Sequence, residues 1–194
     1  MKQPQFFLLA ICIFCISATT SKNTYTLSKD FTVTINGTSN LHSWNEKVTT
    51  VSGDGIINWE DNGNFEVFAI NIKMDVHSIQ SDMGSAMNNK TYKALKADAN
   101  PEIIFELKIP VASIQTKSNG NTIAAKGNLT IAGVTKAVDM QVKVLMEEKG
   151  KLTVEGAQII KMSDYNIDPP TALFGTLKTG NEITINFKTN FIIN

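Results

Sequence analysis

The chain has 194 residues, with 18 basic and 18 acidic side chains and no formal net charge at neutral pH. Every basic residue is lysine. That balance lacks the clustered basic face of a nucleic-acid binder, and without arginine there is no guanidinium fork for bidentate recognition of carboxylate or phosphate.

Met1-Lys2, the apolar block from Phe6 to Ile16 and the small residues Ser17-Ala18-Thr19 have the layout of a secretory signal peptide. The block is shorter than the roughly 20 apolar residues that cross a bilayer. Cleavage is predicted after Ala18, leaving a single domain over 19–194, no membrane span in the mature chain, and a periplasmic or secreted protein. Both cysteines, Cys12 and Cys15, are removed with the signal, so no disulfide is expected. Lipoprotein processing wants a small residue before its cysteine; here Ile11 and Phe14 stand there, and no lipid anchor is predicted.

From this point alternation with a period of two dominates. Phe31, Val33 and Ile35 share one face, then Phe68, Ile70, Ile72 and Met74, then Ile103, Phe105, Leu107 and Ile109, and last Ile183, Ile185, Phe187, Thr189 and Phe191. Strands with one apolar and one polar face belong to antiparallel sheets buried on one side. Turn residues separate them, as in Asp61-Asn62-Gly63-Asn64, Ser118-Asn119-Gly120-Asn121 and Thr179-Gly180-Asn181. Between them, Met83, Met87 and Ala94, with Thr91 and Leu95 alongside, fall at helical spacing, which predicts one helix over about 84–96, stopped before Pro101. Lys126 to Val142 reads as a β-hairpin: Ala125, Gly127, Leu129 and Ile131 on one arm, Val138, Met140, Val142, Val144 and Met146 on the other, with Gly133 supplying the positive φ of the turn. Many short strands of this kind predict a barrel or sandwich.

Candidate chemistry is sparse. His42 is either a polar group at a pocket mouth, a general base, or a structural histidine hydrogen-bonded to backbone, and the structural reading is favoured. Trp44 reads as core or rim packing. Asp75-Val76-His77 offers two metal ligands where zinc wants three or four, so no metal site is predicted. Ser43 and His42 are neighbours on an extended segment and point apart, and no glycine elbow accompanies the serine, so serine hydrolysis is not predicted. No catalytic residue is assigned.

Four stretches together resemble the bacterial YceI-like family. Gly127-Asn128-Leu129-Thr130-Ile131-Ala132-Gly133-Val134-Thr135-Lys136 is similar to its G-x-L-T-I-x-G-V-T-K signature, and Gly37-Thr38-Ser39-Asn40-Leu41-His42-Ser43-Trp44 to the G-T-S-x-L-H-x-W opening of one branch. Tyr92 to Leu95 followed by Pro101-Glu102-Ile103-Ile104-Phe105, and Pro169-Pro170-Thr171 with Phe174-Gly175 and Lys178-Thr179-Gly180, resemble its helix passage and its late loop. The likeness spans about Tyr25 to Ile193. It implies a mainly β, antiparallel, eight-stranded lipocalin-like barrel with one inserted helix, hollow along its axis, that holds a polyisoprenoid lipid and forms a homodimer. Family members often carry an Arg-Asp pair where this chain has Ser85-Ala86-Met87-Asn88, which argues against diphosphate recognition.

The expectation is therefore a carrier or sequestering protein and not an enzyme, with an isoprenoid-type ligand and no other cofactor. The site residues expected to contact the ligand are His42, Trp44, Phe68, Met74, Met83, Met87, Leu95, Phe105, Leu129 and Phe174. The alternative is an envelope interaction protein whose barrel is packed solid.

Overall fold

The structure, a computed structural model, describes residues 22–147, 150–172 and 175–194. The signal-peptide segment and Phe174 lie outside the described residues.

Alternating apolar residues become long strands: β1 Lys22–Ser39, β2 Ser43–Val48, β3 Val51–Trp59, β4 Phe65–Asp75 and β5 Ile79–Ser81 precede the helix α1 Ser85–Ala94. After it come β6 Glu102–Leu107, β7 Val111–Ile114, β8 Asn121–Ile131, β9 Val134–Met146, β10 Leu152–Lys161, β11 Thr171–Ala172 and β12 Leu177–Ile193. Eight of these, β1, β3, β4, β6, β8, β9, β10 and β12, pair antiparallel in turn, and β12 returns to β1 from Tyr25↔Ile193 to Gly37↔Ile183, so the sheet closes into a barrel. Closure leaves the main wall without a free edge. The predicted barrel with a single inserted helix is the architecture observed.

β2 and β3 lie beside β1 in nearly continuous register, Thr34↔Lys47 and Thr26↔Asp54, as one bent strand. β4 and β5 bend with them around a 3-10 turn at Val76–Ser78, whose N-terminus is capped by Asp75 accepting from the His77 N–H at 2.8 Å. The β8–β9 hairpin turns at Ala132-Gly133, with φ of 49° and 79° between the paired Ile131 and Val134. Two positive φ values suit a two-residue turn whose twist matches its strands, and glycine adopts one of them at no steric cost.

One end of the barrel is plugged. Tyr25, Ile57, Phe65, Leu152 and Phe191 are all fully buried, and they come from the strand ends that the register brings together there. Trp59 tilts against Phe65 at 5.9 Å between ring centroids, and β7 pairs antiparallel with this end of β4 through Phe65↔Ile114, bringing the buried Ile114 into the core. Toward the other end the β9–β10 ladder stops at Val142↔Gly156, while β10 continues along β12 as far as Lys161. There α1 and the segment around Pro170 cross the opening.

Three sequence expectations need correction. Thr179-Gly180-Asn181, read as a turn, lies inside β12, where Thr179 pairs with Ser39. Phe68 does not share a face with Ile70 and Met74: the β3–β4 register passes from Ile56↔Ala69 to Ile57↔Val67, leaving Phe68 as the extra residue of a bulge. A bulge changes the phase of alternation, so Val67 and Phe65 point inward and Phe68 outward, 39% exposed, with Lys22 Nζ 4.6 Å from its ring centroid. Ile109 lies beyond the end of β6 and is exposed.

Candidate functional site

The open end is built from alternation on β2 and helical spacing on α1. Trp44, Glu46 and Val48 stand two apart on β2 and face the barrel interior, with Glu46 and Val48 buried. Met87, Thr91 and Ala94, with Leu95 just beyond the helix, stand on the face of α1 that looks down on them. Gly37 pairs with Trp44 across β1 and β2, and any Cβ there would collide with the indole, so the glycine makes room for the ring. The indole Nε1 donates to Thr38 O at 3.1 Å.

A cavity of about 100 Å³ opens between these elements. His42, Trp44, Met83, Met87 and Leu95 line it, together with inward residues of the wall such as Ile35, Ile131 and Ile185. A second cavity of about 80 Å³ lies deeper, lined by Met74, Phe105, Leu129 and Met140 among others, and Gln158 is its single polar lining residue. Ile185 borders both, so the two follow one another along the barrel axis. Gly127 lies under the Phe105 ring, which a Cβ would strike. Nine of the ten residues expected at the ligand are described; eight line one or other cavity, and Phe68 lines neither.

The rim is fastened by side chains that imitate strand pairing. The Asn40 N–H donates to Lys178 O at 3.1 Å, its Nδ2 donates to Thr176 O at 2.8 Å, and its Oδ1 accepts from the Lys178 N–H at 2.9 Å. Asn181 does the same for the turn at Met162–Tyr165: its Oδ1 accepts from the Ser163 N–H at 2.9 Å and its Nδ2 donates to Ser163 Oγ at 2.8 Å. Met162, Ile167 and Pro170, carried by that connection, line the outer cavity.

His42 does not play the structural part favoured from sequence. Ser39 organises the tight turn, its Oγ donating to His42 O and accepting from the Leu41 and His42 N–H groups, while the imidazole has no hydrogen-bond partner among the described residues. The ring lies at the mouth with Leu41, which is 74% exposed, beside it in the turn. His77, the other histidine, packs its ring on Tyr92 at 5.1 Å between centroids, with its Nε2 4.0 Å from Asp98 Oδ1.

Glu46 is the residue that sequence reasoning missed. In Asn45-Glu46-Lys47 it reads as part of a polar surface run, yet it is 4% exposed and lines the outer cavity. Its Oε1 accepts from Thr91 Oγ1 of α1 at 2.6 Å. Burial holds its carboxyl above the usual carboxylate range, and the Thr91 hydrogen bond pulls only partly the other way. Its position two residues from Trp44 and two from Val48, on the inward phase, was the available signal.

Residues 17–191 match the YceI-like domain family. The chain belongs to the YceI-like family. Its barrel is similar to solved structures: a polyisoprenoid binding domain from Saccharophagus degradans (TM-score 0.68, 13% identity, covering 88% of this chain and 98% of that one) and BcnA of Burkholderia cenocepacia (0.59, 20%, 82% and 95%). The Campylobacter jejuni YceI protein is similar at TM-score 0.55 and 18% identity, over 77% of this chain and 84% of that one. At these identities the likeness is one of fold. A UPF0312 protein of Pseudomonas paraeruginosa is 28% identical over 104 residues, which is 50% of this YceI-like chain and 51% of that protein, so the match spans about half the length of the curated relative. No helix among the described residues is long and apolar enough to cross a membrane.

Proposed function

We propose that this protein holds a hydrophobic, isoprenoid-type lipid along the barrel axis and acts by sequestration or transport, without catalysis, after export and cleavage near Ala18. The observation that carries the reading is the pair of apolar cavities in series, reached from one end and closed at the other. Burying one five-carbon isoprene unit contributes on the order of 4 kcal/mol at about 0.8 kcal/mol per carbon, before ordering costs. A few units therefore give useful affinity with no ionic clamp. The polyisoprenoid binding domain among the fold relatives supports the same ligand class.

Native mass spectrometry of the mature protein from its own host tests this. The expected result is an added mass of a few hundred daltons or more that solvent extraction removes. A protein of bare polypeptide mass that also fails to take up an apolar fluorescent probe would leave the packed-barrel alternative standing.

A further inference from the structure

The outer cavity contains a carboxylate, one oxygen of which a purely hydrocarbon ligand would leave without a partner. Glu46 is more than nine-tenths buried, stands on the inward phase of β2, and lines the cavity. One oxygen accepts from Thr91; the other has no hydrogen-bond partner among the described residues, and no lysine forms an ion pair with either. Strand pairing sets Ser81 opposite Glu46 on β5, and the Ser81 N–H is committed to Asn88 Oδ1 at 2.8 Å. The second Glu46 oxygen is not one of the fully enclosed unpartnered side-chain atoms, which among the described residues are Tyr25 Oη and Asn58 Oδ1; it keeps access to the cavity, where an occupant must either bring it a donor or leave it unmatched at a cost.

Resting on the lipid-carrier reading, we propose that Glu46 is the polar anchor of the cavity and that the ligand's head group donates a hydrogen bond to it, as a hydroxyl or ammonium does, rather than being a phosphate. An anionic head would meet Glu46 at short range in a poorly solvated site, where like charges repel strongly. Lys90 and His42 line the same cavity and are the groups through which an anionic head would bind instead. The anion is therefore the decisive counter-test.

A series with one tail isolates the head: farnesol, farnesylamine, farnesyl phosphate and the hydrocarbon farnesene, each titrated against an apolar fluorescent probe bound to the mature protein. Farnesol and farnesylamine should bind at least tenfold more tightly than the other two. Glu46→Leu should remove that advantage while farnesene binds as before, with circular dichroism confirming the fold. Glu46→Gln, which keeps an acceptor oxygen and loses the charge, should retain the preference for the alcohol and lose that for the amine. A phosphate that binds as tightly as the alcohol, or a ranking that survives in Glu46→Leu, overturns the anchor while leaving the lipid-carrier reading intact. Failure of all four to bind, farnesene included, overturns both.

Discussion

The two ends of this barrel are made from the same alternating strands and differ in what fills them. At the plugged end, large side chains from five strands meet at zero exposure, and β10 stays paired with both β9 and β12. At the open end the inward residues are β-branched or flexible, Ile35, Ile131, Ile185, Met83 and Met87, and they do not reach across. One end holds the fold and the other holds space. The difference teaches that hollowness here is a matter of side-chain volume and of strand divergence beyond Val142↔Gly156, not of a different strand pattern.

If that division is right, truncating the plug should cost the most. Phe65→Ala and Phe191→Ala each remove a fully buried aromatic side chain, and urea denaturation should show a loss of about 3–5 kcal/mol. A loss under about 1 kcal/mol at both positions would show that the plug is not where the stability lies.

Gly37→Ala tests the packing of the rim. The new methyl meets the Trp44 indole, so the expected cost is about 1–3 kcal/mol together with a shift in tryptophan emission as the ring is displaced. Met87→Asp tests the cavity itself. Met87 is half-buried at its wall, so an unpaired charge there should abolish uptake of an apolar probe while the far-ultraviolet circular dichroism stays β-rich. Full probe binding by a folded variant would take α1 out of the site.

Glu46→Gln should act in the opposite direction to the plug variants. The raised carboxyl pKa means that the folded state binds the proton more tightly than the unfolded chain does. Its contribution to stability is full below the ordinary carboxyl range and is lost as pH rises through the raised folded value. The glutamine variant should therefore gain on wild type, by about 1 kcal/mol at neutral pH, the scale of one poorly satisfied buried oxygen, with the gain shrinking toward pH 4. Tyr92, Lys90 and His42 also border this region, so the difference between the two proteins, and not the wild-type curve, is the quantity to read. The smallest effect is expected for His42→Ala, within about 0.5 kcal/mol in a thermal melt, because its imidazole makes no hydrogen bond among the described residues. A large loss would restore the structural reading.

Much of the architecture was legible in the residues. The inward sets on β8 and β9, the two-residue turn at Gly133 and the helix before Pro101 follow directly from spacing and turn chemistry, because each depends only on neighbours in the chain. The site was legible in part. His42, Trp44, Met83, Met87 and Leu95 were expected at the ligand and share one cavity, and Met74, Phe105 and Leu129 share the next. Phe68 was misplaced because an unpaired residue in β4 inverts the phase, and nothing in Phe65 to Ala69 announces which residue will be left over.

The sequence by itself determined most of the shared faces, Phe68 apart, most of the turns, Thr179-Gly180-Asn181 apart, and the family to which the barrel belongs. Only the tertiary structure decided that the outer end stays open and that Glu46 sits inside it. The physical reason is range: alternation and turn propensity act over a few residues, whereas the burial of Glu46 depends on a threonine 45 positions away brought over it by the helix, and the cavity depends on how far side chains from opposite walls extend.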